Sequence, residues 1–400
     1  MRVGSLQHGL PLVLACWSSV PVSAKQIKIF AQNVGLLVDT RLDPVVNPET
    51  CSSHVHSVYG NAQFGATVEE DVFEDDDWRN TTGKFDQTTS ELIPNLSSYW
   101  APSLYIWDDA SQKFYVVPSF SRPYYRIFVR SDNDQDRSSV NPHPKFLRII
   151  AGKASRKTPW EPENIDRDDI RWTLTTFNRG KTNYREHGDW SYLRNNTDIA
   201  DRGQVEMLLR FPDCLEVDGN GIPKTESKGF RSHAAYSSKN YDPSRRTYCP
   251  VSHPYQIPLL HLEIRYRIGD MRDRLGENVV NDVSNWRLST NDASGAGAHA
   301  DFISGWPRDM MENIIVNCTD GKSKDGSSDC VLEGLDLDGR VEKTVPFNNP
   351  VPQEKVHEVA NLPTGKCPPI VVGCTDDPNF KFKNKKKRNC AWIAIKTNKK

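Results

Sequence analysis

His261-Leu262-Glu263-Ile264-Arg265-Tyr266, within the longer stretch 257–267, alternates polar and apolar side chains residue by residue. An extended chain sends successive side chains to opposite faces, so this period of two predicts a β-strand with one buried and one polar face. Working outward from it, similar readings fall at 26–30, 104–107, 113–117, 124–129, 146–150, 170–175 and 205–211. Turn-rich stretches such as 131–140 and 218–228 divide them, and 26 Pro and 24 Gly favour turns over long helices. Many short strands between turns predict a mainly β chain: a β-sandwich or jelly-roll-like domain with long loops, few short helices and disulfides. One helix is expected, over 308–316, where Met310, Met311, Ile314 and Ile315 recur at helical spacing behind Pro307. The Met pair reads as core packing.

Four hundred residues can bury a large core. The formal charge of −1 hides an asymmetry. Residues 375–400 hold nine Lys/Arg against two Asp, and Arg2 is the lone charge of 1–24. That leaves 41 basic and 50 acidic residues between 25 and 374, a net of −9. Such a body excludes nucleic acid as an expected partner, because that binding needs a basic footprint.

Residues 1–24 are expected to be a secretory signal: Arg2, a short apolar run over 10–17, then Val22-Ser23-Ala24 as a cleavage site. The apolar run is too short to span a bilayer, and no later segment is long enough, so no membrane span is expected. Sequons at Asn80, Asn95, Asn195 and Asn317 fit an extracellular glycoprotein. Eight cysteines lie beyond residue 24, and an oxidising compartment would pair them. Cys214 with Cys249 and Cys318 with Cys330 are the expected pairs, each enclosing a loop-like stretch. The chain divides into the signal (1–24), a main domain (25–344), a Pro-rich linker (345–366) and a basic, cysteine-containing module (367–400).

The chemistry-bearing residues are mostly histidines. In Ser53-His54-Val55-His56-Ser57 the two imidazoles leave one face of an extended segment. His299-Ala300-Asp301 repeats that spacing with a carboxylate. Three readings stand for the histidine pair: structural hydrogen bonding, metal ligation, or acid–base catalysis. A metal set of His54, His56, His299 and Asp301 is chemically reasonable provided folding gathers them. Arg41 and Asp43 precede the pair and complete the candidate catalytic set. Arg41 or Arg122 could neutralise a uronate, and Asp43 and Asp301 are the carboxylates a hydrolase would need. Tyr99, Trp100, Tyr105, His233, Tyr236, His253 and Trp306 are candidate substrate contacts, since flat rings with polar rims stack on sugars. The competing reading of each aromatic is core packing. No HExxH, zinc-type CxxC pair, GxSxG elbow or phosphate-binding glycine loop occurs.

Taken in order, several motifs resemble the family called domain of unknown function nineteen-ninety-six. They are Arg41-Leu42-Asp43-Pro44-Val45-Val46-Asn47-Pro48, Ser53-His54-Val55-His56 and Ser98-Tyr99-Trp100-Ala101-Pro102-Ser103-Leu104-Tyr105. Phe211-Pro212-Asp213-Cys214, Ser232-His233-Ala234-Ala235-Tyr236 and Cys249-Pro250-Val251-Ser252-His253-Pro254 follow. Leu288-Ser289-Thr290-Asn291-Asp292 and His299-Ala300-Asp301-Phe302-Ile303-Ser304-Gly305-Trp306 close the series. The family's usual Trp after the cysteine is replaced by Leu215. The resemblance implies a secreted protein of a kind often joined to sugar-binding WSC modules, and the tail after Cys374 is similar to the start of an ShK-like module. The expected function is a carbohydrate-active extracellular protein that binds or cleaves a cell-wall or acidic polysaccharide, as an enzyme a polysaccharide lyase or glycoside hydrolase, with a divalent metal as the one cofactor suggested. Its partner would be a polysaccharide or cell-wall matrix. The alternative is a non-catalytic wall or matrix protein, with a structural metal or none. A metal-dependent oxidase or hydrolase of non-sugar substrates is a third reading.

Overall fold

The computed structural model describes residues 24–70, 87–130, 139–158, 170–176, 188–194, 199–238, 241–317, 343–366 and 370. Its strands are, in chain order, β1 (Ala24–Ala31), β2 (Leu36–Leu42), β3 (Cys51–Gly60), β4 (Ser98–Pro102), β5 (Leu104–Asp108) and β6 (Lys113–Val116). Then come β7 (Ser119–Arg130), β8 (Arg148–Gly152), β9 (Ile170–Thr176), β10 (Gly203–Arg210), β11 (Cys214–Leu215) and β12 (Ala234–Ala235). The last are β13 (Tyr255–Gln256), β14 (Leu259–Tyr266), β15 (Trp286–Leu288), β16 (His299–Ile303) and β17 (Glu358–Val359). The helices are α1 (Ile199–Arg202), α2 (Arg272–Leu275), α3 (Glu277–Asn281) and α4 (Arg308–Asn317).

Two five-stranded antiparallel sheets, ordered β1-β7-β14-β10-β9 and β2-β3-β4-β16-β8, face each other across the main core. The alternation that opened the sequence reading is realised in β14: Leu260, Leu262, Ile264 and Tyr266 enter that core. The opposing sheet answers with Tyr59, Tyr99, Ala101, Ile149, Ala151, Ala300 and Phe302. Polar tips inside the layer are matched: Tyr99 Oη lies 2.6 Å from Tyr125 Oη, Tyr59 Oη 2.7 Å from Ser119 Oγ, and Tyr266 Oη donates to Pro102 O at 3.1 Å. Each fully buried Leu or Ile of this layer contributes roughly 1.5–3 kcal/mol. A four-stranded sheet (β15-β5-β6-β17) and a three-stranded one (β12-β11-β13) flank the sandwich. The Cys214–Cys249 disulfide, with Cα atoms 5.5 Å apart, ties β11 to the loop before β13. Closing a loop of this size is worth about 3–4 kcal/mol on chain-entropy grounds.

The mainly β reading therefore holds, with three differences of detail. Short helices α1, α2 and α3, which the sequence pattern did not single out, fill connections beside the core. The stretch 345–366 is not a free spacer. Strand β17 pairs with β6, Tyr105 Oη donates to Val356 O at 2.6 Å, and Arg41 Nη1 meets Glu354 at 3.3 Å. Asn95 is fully buried and donates to Tyr99 Oη at 3.0 Å, so in the fold it cannot carry a glycan. Its amide is used inside on both sides, its Oδ1 accepting from Ser97 N at 3.0 Å. Asn80, Asn195, the signal-like segment, the Cys318–Cys330 pair and all but one residue of 367–400 lie outside the described residues.

Candidate metal centre

The second sheet has a second face. Its inner face serves the sandwich core, and the alternate residues point the other way. On β3 these are His54, His56 and Val58; on β16 they are His299, Asp301 and Ile303. Val58, Trp100, Ile150 and Ile303 join Leu42, Val45, Phe64 and Phe146 in a separate apolar cluster over that face. Register fixes the rest. Trp100 pairs with both Val58 and Asp301, and Asp301 with Ile150, giving one apolar-flanked row across four strands. In the next row His56 pairs with Pro102 and His299 with Gly152. Pro102, on the strand between the two, contributes only a short ring. Gly152, at φ +71°, is obligatory beside His299: a Cβ there would stand 2.3 Å from Ala298 O and 2.7 Å from His299 Cα.

The three imidazoles converge. Ring centroids lie 4.3 Å apart for His54 and His56, 5.1 Å for His54 and His299, and 6.3 Å for His56 and His299. One potential ligand atom from each falls within 4.8 Å of the other two, and the same holds for Asp43, His56 and Asp301. His56 belongs to both triples. Its Nδ1 sits 2.9 Å from Leu42 O, and a carbonyl can only accept, so Nδ1 carries the proton. Nε2 is then a bare lone pair, and it has no partner though fully buried. His299 is set the same way, with Nδ1 donating to Gly297 O at 3.0 Å. Its Nε2 lies 3.2 Å from His54 Nε2. His54 Nδ1 is 3.2 Å from Ser53 Oγ, which accommodates either tautomer. Backbone carbonyls that fix the ring tautomer from behind are the usual outer shell of metal-binding histidines.

The electrostatics point the same way. Burial, reinforced by the neighbouring imidazoles, holds His54 well below the ordinary histidine range. Burial depresses His56 and His299 to about 4 each, against the pull of their backbone partners. All three are neutral at pH 7, the form that ligates. Asp301 is pushed well above the carboxylate range, by burial first and by Asp43 second. Its Oδ1 has no partner. Asp43 is raised by burial, although its Oδ1 accepts from the backbone N–H of Val46 at 2.9 Å and Val45 at 3.2 Å. His56 Nε2 and Asp301 Oδ1 are thus left without a partner, beside the His54–His299 pair, and a divalent cation would satisfy them. All five side chains are buried, His54 and His299 being the most exposed at 7% and 6%.

The loop leading into β16 is itself held. Asp292 Oδ1 accepts from Ser294 N at 2.9 Å and its Oδ2 from Gly297 N at 2.8 Å. Trp172 Nε1 donates to Gly295 O at 3.0 Å and Trp190 Nε1 to Ala293 O at 2.9 Å. Sequence reasoning gave Asp292 no role. The available signal was Asp292 followed by Ser294, the hydrogen-bonding turn pattern ahead of a histidine.

Other sequence candidates lie elsewhere. Arg41 is 1% exposed and spends its guanidinium on Ser52 O at 2.7 Å, Gly365 O at 2.9 Å and Glu354. It fastens the 343–366 segment and is no substrate clamp. Tyr99, Trp100, Tyr105 and Trp306 are core residues, at most 3% exposed, and cannot stack on a glycan. Trp306 Nε1 instead donates to Tyr125 Oη at 2.8 Å. The polar edges of Tyr99, Tyr105 and Trp306 are used internally. His233 and His253 do not join the three imidazoles. His233 Nδ1 lies 2.9 Å from Ser227 Oγ, and His253 Nε2 lies 3.0 Å from Ser232 O. Tyr236 is half-buried beneath Arg210, whose guanidinium sits 5.5 Å over its ring.

No curated protein and no solved structure matches the chain. The family described as Domain of unknown function (DUF1996) does match, over residues 43–306. That span runs from Asp43, at the rim of the centre, through β3 and β16 to Trp306, and so contains every potential ligand. The chain belongs to the DUF1996 family, and the histidine-lined outer face of its sandwich lies within the family domain.

Proposed function

We propose that the protein is a secreted, carbohydrate-active metalloprotein whose ion is held by His54, His56 and His299, with Asp301 and Asp43 as adjoining carboxylates. The observation that carries it is the pair of buried imidazoles, His56 and His299, whose Nδ1–H groups are committed to Leu42 O and Gly297 O and whose Nε2 lone pairs face His54. Three imidazoles suit zinc, copper, nickel or iron, and not calcium or magnesium. A three-histidine site leaves a coordination position for water, whose pKa such an ion lowers to about 7. Asp301 would take up or return a proton there, as a general acid or base for cleaving a polysaccharide.

A structural ion in a non-catalytic matrix protein is the second reading. The burial of every candidate ligand favours it, because closed sites with four protein ligands are the structural kind. One experiment addresses both. Protein purified without chelator is measured for metal content, then assayed on a polysaccharide panel for reducing ends and for unsaturated-uronate absorbance. One transition ion per chain, lost in His299→Ala together with turnover, supports the enzyme. Stoichiometric metal with glycan binding and no turnover supports the structural reading. Absence of tight metal binding by the folded protein refutes both.

A further inference from the structure

We infer that the rim of the metal centre at the β8 edge binds an acidic glycan, a polymer carrying carboxylate groups; this rests on the carbohydrate reading above and names its substrate class. The rim is built by two segments. The first, Lys153 to Lys157, leaves β8 directly after Gly152, the cross-strand partner of His299. Lys153 N donates to Ala298 O at 3.3 Å, and the carbonyls of Ala154 and Arg156 line the backbone of Gly297. The segment contains Lys153, Arg156 and Lys157 and no acidic residue. The second carries Lys228 and Arg231. Arg231 Nη2 donates to Gly152 O at 2.7 Å, which seats its guanidinium at the same edge. Its charge is felt by both His299 and Asp301.

Lys153, Lys157, Lys228 and Arg231 are exposed, and none has an ion-pair partner among the described residues. The acidic neighbours are accounted for: Glu226 pairs with Arg148, and Glu216 with Lys224 at 2.5 Å. A basic rim on a body of net charge −9 is a local field set beside Gly152 and His299. Such a rim concentrates an anionic polymer there while the rest of the surface repels it. Arg231 replaces Arg41 as the guanidinium within reach of a uronate.

The test uses affinity electrophoresis of the purified, metal-containing chain in gels carrying polygalacturonate, a neutral β-glucan or neither. Retardation is expected in polygalacturonate alone, weakening as salt is raised. The triple variant Lys153→Glu, Lys157→Glu, Arg231→Gln should weaken it at least tenfold with metal content unchanged. His54→Ala, which removes a metal ligand and leaves the rim intact, should still be retarded, so a failure of the metal reading is seen separately. Equal mobility in the polygalacturonate and neutral gels, or binding unaffected by the triple variant, overturns the inference. Binding of a DNA duplex as tight as that of polygalacturonate would overturn its glycan character.

Discussion

Acid should dismantle the metal-free protein through its own imidazoles. His56 and His299 are neutral in the fold and titrate at about 4, whereas in the unfolded chain a histidine titrates near 6.5. The unfolded state therefore binds more protons between those values, and stability falls as pH drops through that window. A gap of about 2.5 units is worth roughly 3 kcal/mol per imidazole. Two together, roughly 6 kcal/mol, rival the whole stability of a typical domain. Asp301 works in the opposite direction. It is protonated in the fold above its ordinary range, so it weakens the metal-free fold as pH rises beyond 3.8. Stability without metal should consequently peak in mildly acidic solution and collapse below it. Urea midpoints measured in chelator at pH 7, 6, 5 and 4.5 check this. In the double variant His56→Gln, His299→Gln the decline below pH 6 should become shallower by the share of these two rings, the buried His54, His143 and His261 keeping the remainder. An unchanged acid slope in that variant would refute the buried, neutral triad.

Two further outcomes follow from the supports of the site. Asp292→Ala removes the carboxylate that shapes the turn before His299, leaving the ring's own ligand atoms in place. Metal affinity should fall about 10–100-fold, read by competition with a chromogenic chelator, while the far-ultraviolet circular dichroism stays native. Arg41→Met leaves Gly365 O and Glu354 without their donor. Hydrogen exchange of 343–366 should quicken selectively, and metal content should hold; loss of metal with a still-attached segment would contradict the assignment of Arg41 as a fastener.

Much of the architecture was legible. The alternating stretches became β5, β6, β7, β8, β9, β10 and β14, and the Met/Ile stripe became the core face of α4. Spacing also established that His54 with His56, and His299 with Asp301, each share one face of a strand. The aromatics were misjudged for sugar contact because Tyr and Trp have the same composition signature in a core as on a platform. Burial decides between them, and burial depends on the opposing sheet. His233 and His253 were drawn toward the site by residue type alone.

The sequence by itself therefore determined the face each histidine occupies, because a strand's period of two is local. It could not determine which strands become neighbours. Only the tertiary structure placed β4, with Pro102 in the critical row, between β3 and β16, and so brought residues 245 positions apart to 3.2 Å. Strand order and register arise from burying one face of every strand at once, and that is a property of the whole sandwich.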